Sequence, residues 1–284
     1  MTAMNPVNLW TSSDHVRDYL ERADQISHRT EGEAALLEFI PKGVRRVLDL
    51  GTGDGRLLAL VRGQHPDTEA VAVDFSPTML EAAQKRFAAD SGVRVVEHNM
   101  DSPLPDLGTF DAVISSFAIH HLVHDRKRTL YAEVFGLLNP GGVFCNLEHV
   151  ASPSQLLHEE FLQRIGFTVE TEDPSNKLLE LETQLQWLRE IGFVDVDCHW
   201  KWRELALLAG ARAYEFVDAA RFARCTAEAS VPTWTVTIAG LLRFLRLLRL
   251  CLAYRRYLVS SFSDVRLPEL RFRFCWLLSR TQGA

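Results

Sequence analysis

Residues 47–55 read Val-Leu-Asp-Leu-Gly-Thr-Gly-Asp-Gly, and this stretch decides the fold. An apolar run over residues 44–50 predicts a buried strand. The glycines that follow, Gly51, Gly53 and Gly55, allow a tight turn and a close approach of the backbone to a ligand. A helix predicted over residues 57–63 would then offer its amino end to an anionic group. The alternative is that the glycines only form a tight connection between strand and helix.

Strands and helices alternate from this loop onward. Further strands are predicted over residues 70–73, 93–97, 110–116 and 142–147, and helices over residues 14–40, 77–89, 126–138, 155–166 and 178–192. Ser76 and Pro77 suit the N-cap and the first position of the helix over 77–89. Residues 193–200 and 205–209 predict a hairpin that closes one edge of the sheet. Because the other strands are almost continuously apolar, the pattern favours an α/β fold in which helices cover both faces of a parallel sheet.

Polar residues follow two of these strands at the edge where ligands bind in open α/β sheets. Asp74 ends the second strand, 19 residues beyond Gly55, where a carboxylate can accept hydrogen bonds from both hydroxyls of a ribose. Its alternative role is to cap the following helix. Asn99 and Met100 follow the third strand, where an amide and a thioether can contact the edge and the face of an adenine, unless they form an ordinary loop.

These residues together resemble the class I S-adenosylmethionine-dependent methyltransferases over residues 44–210, with matching stretches at 47–57, 73–80, 110–122 and 138–142. The resemblance implies a Rossmann-like, doubly wound, mostly parallel sheet of seven strands with an antiparallel last strand. It also implies that the glycine loop holds the methionine part of S-adenosylmethionine, Asp74 the ribose, and Asn99 with Met100 the adenine. The family usually has Asp at the position of Asn99, so this chain keeps an acceptor there and adds a donor.

The matching stretches and the loop after the third strand supply the residues predicted to bind the cofactor. They are Asp49, Gly51, Thr52, Gly53, Gly55, Asp74, Phe75, Met79, Asn99, Met100, Ser115 and Ser116.

Candidate catalytic residues lie just beyond the fourth and fifth strands. His120 and His121 follow the fourth strand, and Glu148 ends the fifth beside His149. Methyl transfer needs a general base only if the acceptor arrives protonated, so these residues have either a catalytic or a structural role. Two histidines and one glutamate are also a metal-ligand set, but nothing in their spacing supports a metal, and none is predicted.

Composition separates a body from a tail. From Cys225 to the end the chain has nine arginines, no lysine and three acidic residues, a net charge of +6 that leaves −12 for residues 1–224. The acidic body argues against nucleic acid as a partner, and a small-molecule acceptor is expected. No secretory signal opens the chain and the cysteines show no disulfide or metal spacing, which predicts a cytoplasmic protein. The sequence does not indicate an oligomeric state.

Three regions are therefore predicted. Residues 1–43, which include Trp10 and Tyr19, form an N-terminal helical cap over the cofactor; residues 44–212 form the cofactor-binding domain; and residues 213–284 form an atypical Arg-rich extension. The insertion at 150–176 is expected to complete a lid. The extension either contacts an anionic membrane as a basic amphipathic helix or is no part of the functional domain, and the second interpretation is preferred.

The predicted activity is methyl transfer to an oxygen, nitrogen or carbon atom of a small molecule. The alternatives are a tRNA-modifying enzyme, a carboxy-S-adenosylmethionine synthase in which Arg203 meets the added carboxylate, and a protein that binds the cofactor without catalysis. A nicotinamide-binding oxidoreductase would instead need Gly-x-Gly-x-x-Gly, whereas the glycines here alternate.

Overall fold

The alternation of strands and helices is present in the computed structural model, which describes residues 9–22 and 26–214. The strands are β1 (Arg46–Leu50), β2 (Glu69–Asp74), β3 (Val93–Glu97), β4 (Phe110–Ser116), β5 (Leu138–His149), β6 (Val194–Trp202) and β7 (Leu205–Ala211). The helices are α1 (Ser13–Arg22), α2 (Arg29–Leu37), α3 (Arg56–Gln64), α4 (Pro77–Arg86), α5 (His124–Leu137), α6 (Gln155–Arg164) and α7 (Leu181–Ile191). Single turns of 3-10 helix lie at Leu9–Thr11 and Ile119–His121.

The seven strands form one sheet in the order β3-β2-β1-β4-β5-β7-β6. Strands β1 to β5 pair in parallel, whereas β7 runs antiparallel to both β5 and β6. The seven-stranded, mostly parallel sheet and its closing hairpin are therefore confirmed. The chain runs outward from β1 through β2 to β3 and returns to β4 on the other side of β1. This reversal opens a crevice at the carboxyl ends of β1 and β4, where ligands of such sheets bind.

The two faces of the sheet are buried under different helices, as the doubly wound fold requires. Leu48 packs in a cluster with Leu130 of α5 and Leu188 of α7. The neighbouring Val47 points to the other face and packs with Leu36 of α2 and with three residues of α3: Leu57, Leu58 and Val61. Side chains on both faces are fully buried, which explains why the strands are almost continuously apolar in sequence.

Two local expectations were wrong. The helical region over residues 14–40 consists of α1 and α2, and His28 precedes α2 with a positive φ of 63° that a continuous helix does not allow. The strand expected over residues 142–147 begins earlier, because β5 starts irregularly at Leu138 and its register with β4 shifts between Phe110 and Ala112. Three extra residues of β5 account for the shift, since Phe110 pairs with Leu138 and Ala112 with Val143.

The Arg-rich extension beyond Tyr214 lies outside the described residues, so the membrane and non-functional interpretations of it stay predictions. Among residues 9–22 and 26–214, no helix combines the length and hydrophobicity that a membrane span needs.

Candidate functional site

A cavity of about 90 Å³ lies at the carboxyl ends of β1, β2 and β4, and we call it the loop cavity. Most of the residues predicted to bind the cofactor line it: Gly51, Thr52, Gly53, Asp74, Phe75, Met79, Asn99, Met100 and Ser116. Asp49, Gly55 and Ser115 do not line it. The fold thus brings together residues from four separate stretches of the chain.

The three glycines of the loop, Gly51, Gly53 and Gly55, have different neighbours. Gly51 has a φ of +68°, and a Cβ there would lie 2.2 Å from the Cβ of Ala118. Gly53 presents its N–H to Asp74 Oδ2 at 2.8 Å. A Cβ on Gly55 would lie 2.4 Å from the ring of Phe87, so this third glycine allows the helix α3 to begin close to that ring. This glycine therefore has a structural role, and its contact with the cofactor stays a prediction.

Asp74 is fixed by three backbone N–H groups. Its Oδ2 accepts from Gly53, and its Oδ1 accepts from Phe75 at 2.8 Å and from Ser76 at 2.9 Å. Burial raises the pKa of Asp74, although these hydrogen bonds favour the carboxylate. Asp74 therefore joins the glycine loop to the start of α4 while still lining the cavity. Ser76 is the N-cap residue of α4 and Pro77 its first residue, as predicted, but the Ser76 hydroxyl makes no cap hydrogen bond.

Asp49 and Ser115, both predicted to bind the cofactor, do not line the cavity and instead bind neighbouring parts of the chain. Asp49 is 1% exposed and its Oδ2 accepts from the Thr52 hydroxyl at 2.6 Å. Burial, together with the charges of Asp74 and Asp54, raises the pKa of Asp49 to about 7 despite that hydrogen bond. The buried Ser115 hydroxyl donates to Leu50 O at 2.7 Å, which couples β4 to β1. Neither side chain reaches the cavity, because each is directed at a neighbouring strand or loop.

The loop after β3 brings Asn99 and Met100 to the loop cavity, and their contact with an adenine stays a prediction. Asn99 is exposed and its Oδ1 accepts from the Asp101 N–H at 2.9 Å, so its acceptor is already engaged within the loop. Asp101, which the sequence analysis did not single out, also lines the loop cavity. Met100 is buried and lines the same cavity. A carboxylate acceptor is therefore still available here, two residues beyond the expected position.

Residues from the N-terminal segment complete the loop cavity. Trp10, Tyr19 and Arg29 line it. Arg29 is buried, donates to Glu33 Oε1 at 2.9 Å and to the Tyr19 hydroxyl at 3.2 Å, and lies over the ring of Phe117. Arg29 could not be singled out from the sequence, since an arginine four residues before a glutamate on a helix is typical of a surface ion pair.

A second cavity of about 310 Å³ adjoins the first, and we call it the histidine cavity. Its apolar wall consists of Ile26, Phe117, Phe161, Leu162, Ile165, Phe167 and Leu205. Its polar wall includes His120, His121, His149, Glu172, Asp173 and Asn176. Trp10, Tyr19, Phe117 and His121 line both cavities, so the two spaces share a wall.

His120 and Glu148 form a buried pair beside this wall. His120 Nδ1 lies 2.7 Å from Glu148 Oε1, and Glu148 is fully buried. Glu148 also accepts from Asn146 Nδ2 at 3.2 Å and from the His149 N–H at 2.9 Å. Burial, with the charges of His149, Lys127 and Lys177, holds the pKa of His120 well below its ordinary value. Burial raises the pKa of Glu148. With Glu148 as a carboxylate, neutral His120 donates to it through Nδ1. The Nε2 of His120 has no hydrogen-bond partner among the described residues.

His121 lies in a different environment from its neighbour. Its Nδ1 is 2.9 Å from the Ser175 hydroxyl, and its ring lies between Trp10 and His120, with centroid distances of 5.2 and 4.0 Å. Burial holds the pKa of His121 well below its ordinary value as well. The structure thus divides the two predicted histidines: His120 has a carboxylate partner, whereas His121 forms part of the shared wall.

Two further possibilities from the sequence were a role for Arg203 in the site and a bound metal ion. Arg203 lines neither cavity, and its Nη1 lies 3.5 Å from Glu160 Oε2. Within residues 9–22 and 26–214, no group of three or more His, Cys, Asp or Glu side chains is arranged to hold a metal ion.

Comparisons with known proteins agree with this geometry. The profile of a methyltransferase domain family matches residues 47–142. An uncharacterised methyltransferase of Mycobacterium tuberculosis is 39% identical over 111 residues, which span 39% of this chain and 53% of that protein. The chain therefore spans about half the length of this relative.

A second relative and a solved structure extend the match. A demethylmenaquinone methyltransferase of Clavibacter sepedonicus is 30% identical over 175 residues, 55% of this chain and 69% of that protein. An O-methyltransferase family protein from Burkholderia thailandensis has a TM-score of 0.60 at 21% identity, covering 73% of this chain and 62% of that one, which shows a shared fold. The chain belongs to the class I S-adenosylmethionine-dependent methyltransferases.

Proposed function

We propose that this protein binds S-adenosylmethionine in the loop cavity and methylates an oxygen atom of a small molecule held in the histidine cavity. The observation behind the proposal is the wall that the two cavities share, since it places a donor site and an acceptor site next to each other. The acidic body of the chain favours a small molecule over nucleic acid.

The residues around the loop cavity fit the proposed donor. The glycine-loop backbone and the Arg29 guanidinium would hold the carboxylate of the methionine part, and Asp74 would accept from the ribose. Met100 and Asp101 would contact the adenine. The Ser116 hydroxyl supports the fit, because it is buried, lines this cavity and has no hydrogen-bond partner among the described residues.

Bound S-adenosylmethionine supplies an activated methyl group, so the chain itself has to orient the acceptor, exclude water and accept a proton. Trp10 and Tyr19 cover the boundary between the cavities and exclude water there. His120 Nε2 accepts the proton of the acceptor hydroxyl. Glu148 keeps Nδ1 as the donor nitrogen and stabilises the imidazolium that forms.

Oxygen is favoured over carbon or nitrogen because of the His120–Glu148 pair. A hydroxyl must lose a proton in order to become a good nucleophile, and a neutral imidazole oriented by a buried carboxylate is suited to that task. An unprotonated amine would not need such a base.

The test has two stages. Calorimetric titration with S-adenosylhomocysteine and with NAD should show binding of the first alone; binding of NAD alone would contradict the donor assignment. Transfer of labelled methyl groups is then measured on matched sets of phenols, amines and carbon acids, and on tRNA. Methylation of phenols that is lost in His120→Gln but kept in the control His199→Gln supports the proposal, since His199 is exposed on β6. Methylation of the amines, carbon acids or tRNA without dependence on His120 would contradict it.

A further inference from the structure

A second imidazole of the histidine cavity is held in the same way as His120. His149 Nε2 lies 2.8 Å from Glu204 Oε2, and Glu204 is only 1% exposed. The rings of His149 and His120 are 5.6 Å apart between centroids, in an edge-to-face arrangement. One cavity therefore contains two neighbouring histidines, each bound on one ring nitrogen by a buried carboxylate.

The hydrogen bonds around Glu204 determine which nitrogen of His149 has a proton. Glu204 lies in the two-residue turn between β6 and β7 and also accepts from the Ser152 hydroxyl and from His158 Nδ1, the latter at 3.0 Å. Burial alone would raise the pKa of Glu204, but these hydrogen bonds outweigh it and lower the pKa. In the neutral form of His149, Nε2 donates to the Glu204 carboxylate. Its Nδ1 is then an acceptor, and no described residue donates to it.

Three residues of the loop at residues 166–176 add further acceptors to the lining of this cavity. Glu172 and Asp173 contribute carboxylates, and Asn176 donates its Nδ2 to Glu172, which leaves its carbonyl oxygen. Arg22 is a cation on this wall, but its Nε donates to Asp18 O and its guanidinium lies over the ring of Phe167. Such a cavity favours a ligand with hydrogen-bond donors and disfavours a carboxylate.

The opposite wall selects the shape of the ligand. Phe117, Phe161 and Phe167 contribute three aromatic rings, and the Phe161 ring lies 5.1 Å from that of His149. A volume of about 310 Å³ is at the lower end of the range for small-molecule sites, which suits a compound of one or two rings.

We propose that the methyl acceptor is an uncharged aromatic compound with two neighbouring hydroxyl groups, of which one reacts at His120 and the other donates a hydrogen bond to His149. This inference rests on the proposed methyl transfer and specifies its substrate class. The reacting hydroxyl gives its proton to His120 Nε2, and its oxygen forms the new bond to the methyl carbon. The carbon–sulfur bond of the donor breaks with its electron pair on sulfur, which becomes a neutral thioether. The second hydroxyl keeps its proton, so His149 determines specificity and Glu204 positions His149.

The test compares three naphthalene derivatives that differ at one position: 2,3-dihydroxynaphthalene, 2-naphthol and 3-hydroxy-2-naphthoate. The wild-type protein should favour the diol over 2-naphthol by about fivefold in kcat/KM, the usual value of one hydrogen bond, and should reject the carboxylate. In His149→Phe the ratio of kcat/KM for the diol to that for 2-naphthol should fall to about one, whereas the exposed control His199→Gln should keep the wild-type ratio. His149→Asn is a smaller second variant, and thermal melting checks that both variants fold.

The outcomes separate this inference from the proposed function. Equal use of diol and 2-naphthol by the wild type, or a preference for the diol that persists in both His149 variants, overturns the inference and leaves methyl transfer intact. If neither naphthalene is methylated but a non-aromatic alcohol is, the inference is also overturned and methyl transfer stands. Failure to bind S-adenosylhomocysteine overturns the proposed function itself.

Discussion

At the scale of single residues, the difference between His120 and His121 matters most. The sequence offers two adjacent histidines and cannot distinguish them, because the partner of each lies far along the chain. Glu148 is 28 positions from His120, and Ser175 is 54 positions from His121. The sheet order brings Glu148 to His120, because it places the end of β5 beside the end of β4.

The first prediction concerns His120. His120→Gln removes the proton acceptor, and we expect kcat for a phenolic acceptor to fall by about 100-fold or more. The affinity for S-adenosylhomocysteine should stay unchanged, because His120 does not line the loop cavity. Steady-state kinetics and calorimetry measure the two quantities. A fall in affinity with unchanged kcat would place His120 in donor binding instead.

The second prediction concerns pH. Because burial holds the pKa of His120 well below its ordinary value, the neutral base persists to lower pH. The acid limb of kcat/KM for the acceptor should therefore lie below the ordinary histidine pKa of about 6.5. Glu148→Gln removes a negative charge next to the imidazolium, so it should move this limb to still lower pH and reduce kcat.

Glu148→Gln should also be tolerated by the fold. The Asn146 Oδ1 is buried without a partner among the described residues. Rotating that amide by half a turn directs Oδ1 at the new Gln side chain, from which it can accept a hydrogen bond. An acid limb at or above the ordinary histidine value in the wild type, measured over pH 4 to 9, would show that His120 is not the group that titrates.

At the scale of secondary-structure elements, the sequence predicted the sheet well and its surroundings less well. The five parallel strands and the closing hairpin were predictable because each strand has a local apolar pattern between turn residues. The position of α1 was not, because it depends on contacts between distant residues. Trp10 packs on His121, and His15 lies 3.6 Å from Asp173, and neither contact has a local pattern in the sequence.

The third prediction concerns the attachment of α6. His158 on α6 contacts Glu204 through Nδ1 and Glu172 through Nε2, both at 3.0 Å, so both ring nitrogens donate only when the ring is protonated. Burial lowers the pKa of His158, but the two carboxylates outweigh it and raise the pKa. A raised pKa means that this stabilisation is complete below pH 6.5 and is lost as the pH rises through the raised value.

His158→Gln keeps the size of the side chain and removes its charge. The Tm of this variant should lie below that of the wild type at pH 6, and the difference should shrink as the pH rises to 9. Thermal melting across this range measures it, with His199→Gln as the control on the exposed side of β6. A Tm difference that stays constant or grows with pH would contradict the ionic role of His158.

At the scale of the whole molecule, the proposed division of the chain into a binding domain and an extension can be tested. Arg212 Nη1 donates to Leu138 O at 2.8 Å, and a Cβ on Gly141 would lie 2.2 Å from the ring of Tyr214. Arg212 and Tyr214 therefore both pack against β5, so the chain is attached to the sheet as far as Tyr214. The fourth prediction is that a chain ending at Tyr214 binds S-adenosylhomocysteine within about threefold of the full-length affinity. Loss of binding would assign the Arg-rich extension a part in the site.

The same scale shows where sequence reasoning reached its limit. The glycine loop and Asp74 lie within about 25 residues of each other and follow strand ends, so their meeting at one edge could be predicted. The proposed acceptor site is lined by residues of α1, the turn at Ile119–His121, β5, α6, the loop at residues 166–176 and β7. Its residues are spread over much of the chain and have no common motif, so the sequence identified the donor and not the acceptor.

The central claim is that donor and acceptor meet across the wall formed by Trp10, Tyr19, Phe117 and His121. A crystal structure with bound S-adenosylhomocysteine tests it most directly. We predict that the ligand occupies the loop cavity, with its ribose at Asp74 and its sulfur beside that wall, facing the cavity that contains His120. A ligand bound elsewhere, or a sulfur directed away from the histidine cavity, would contradict the account.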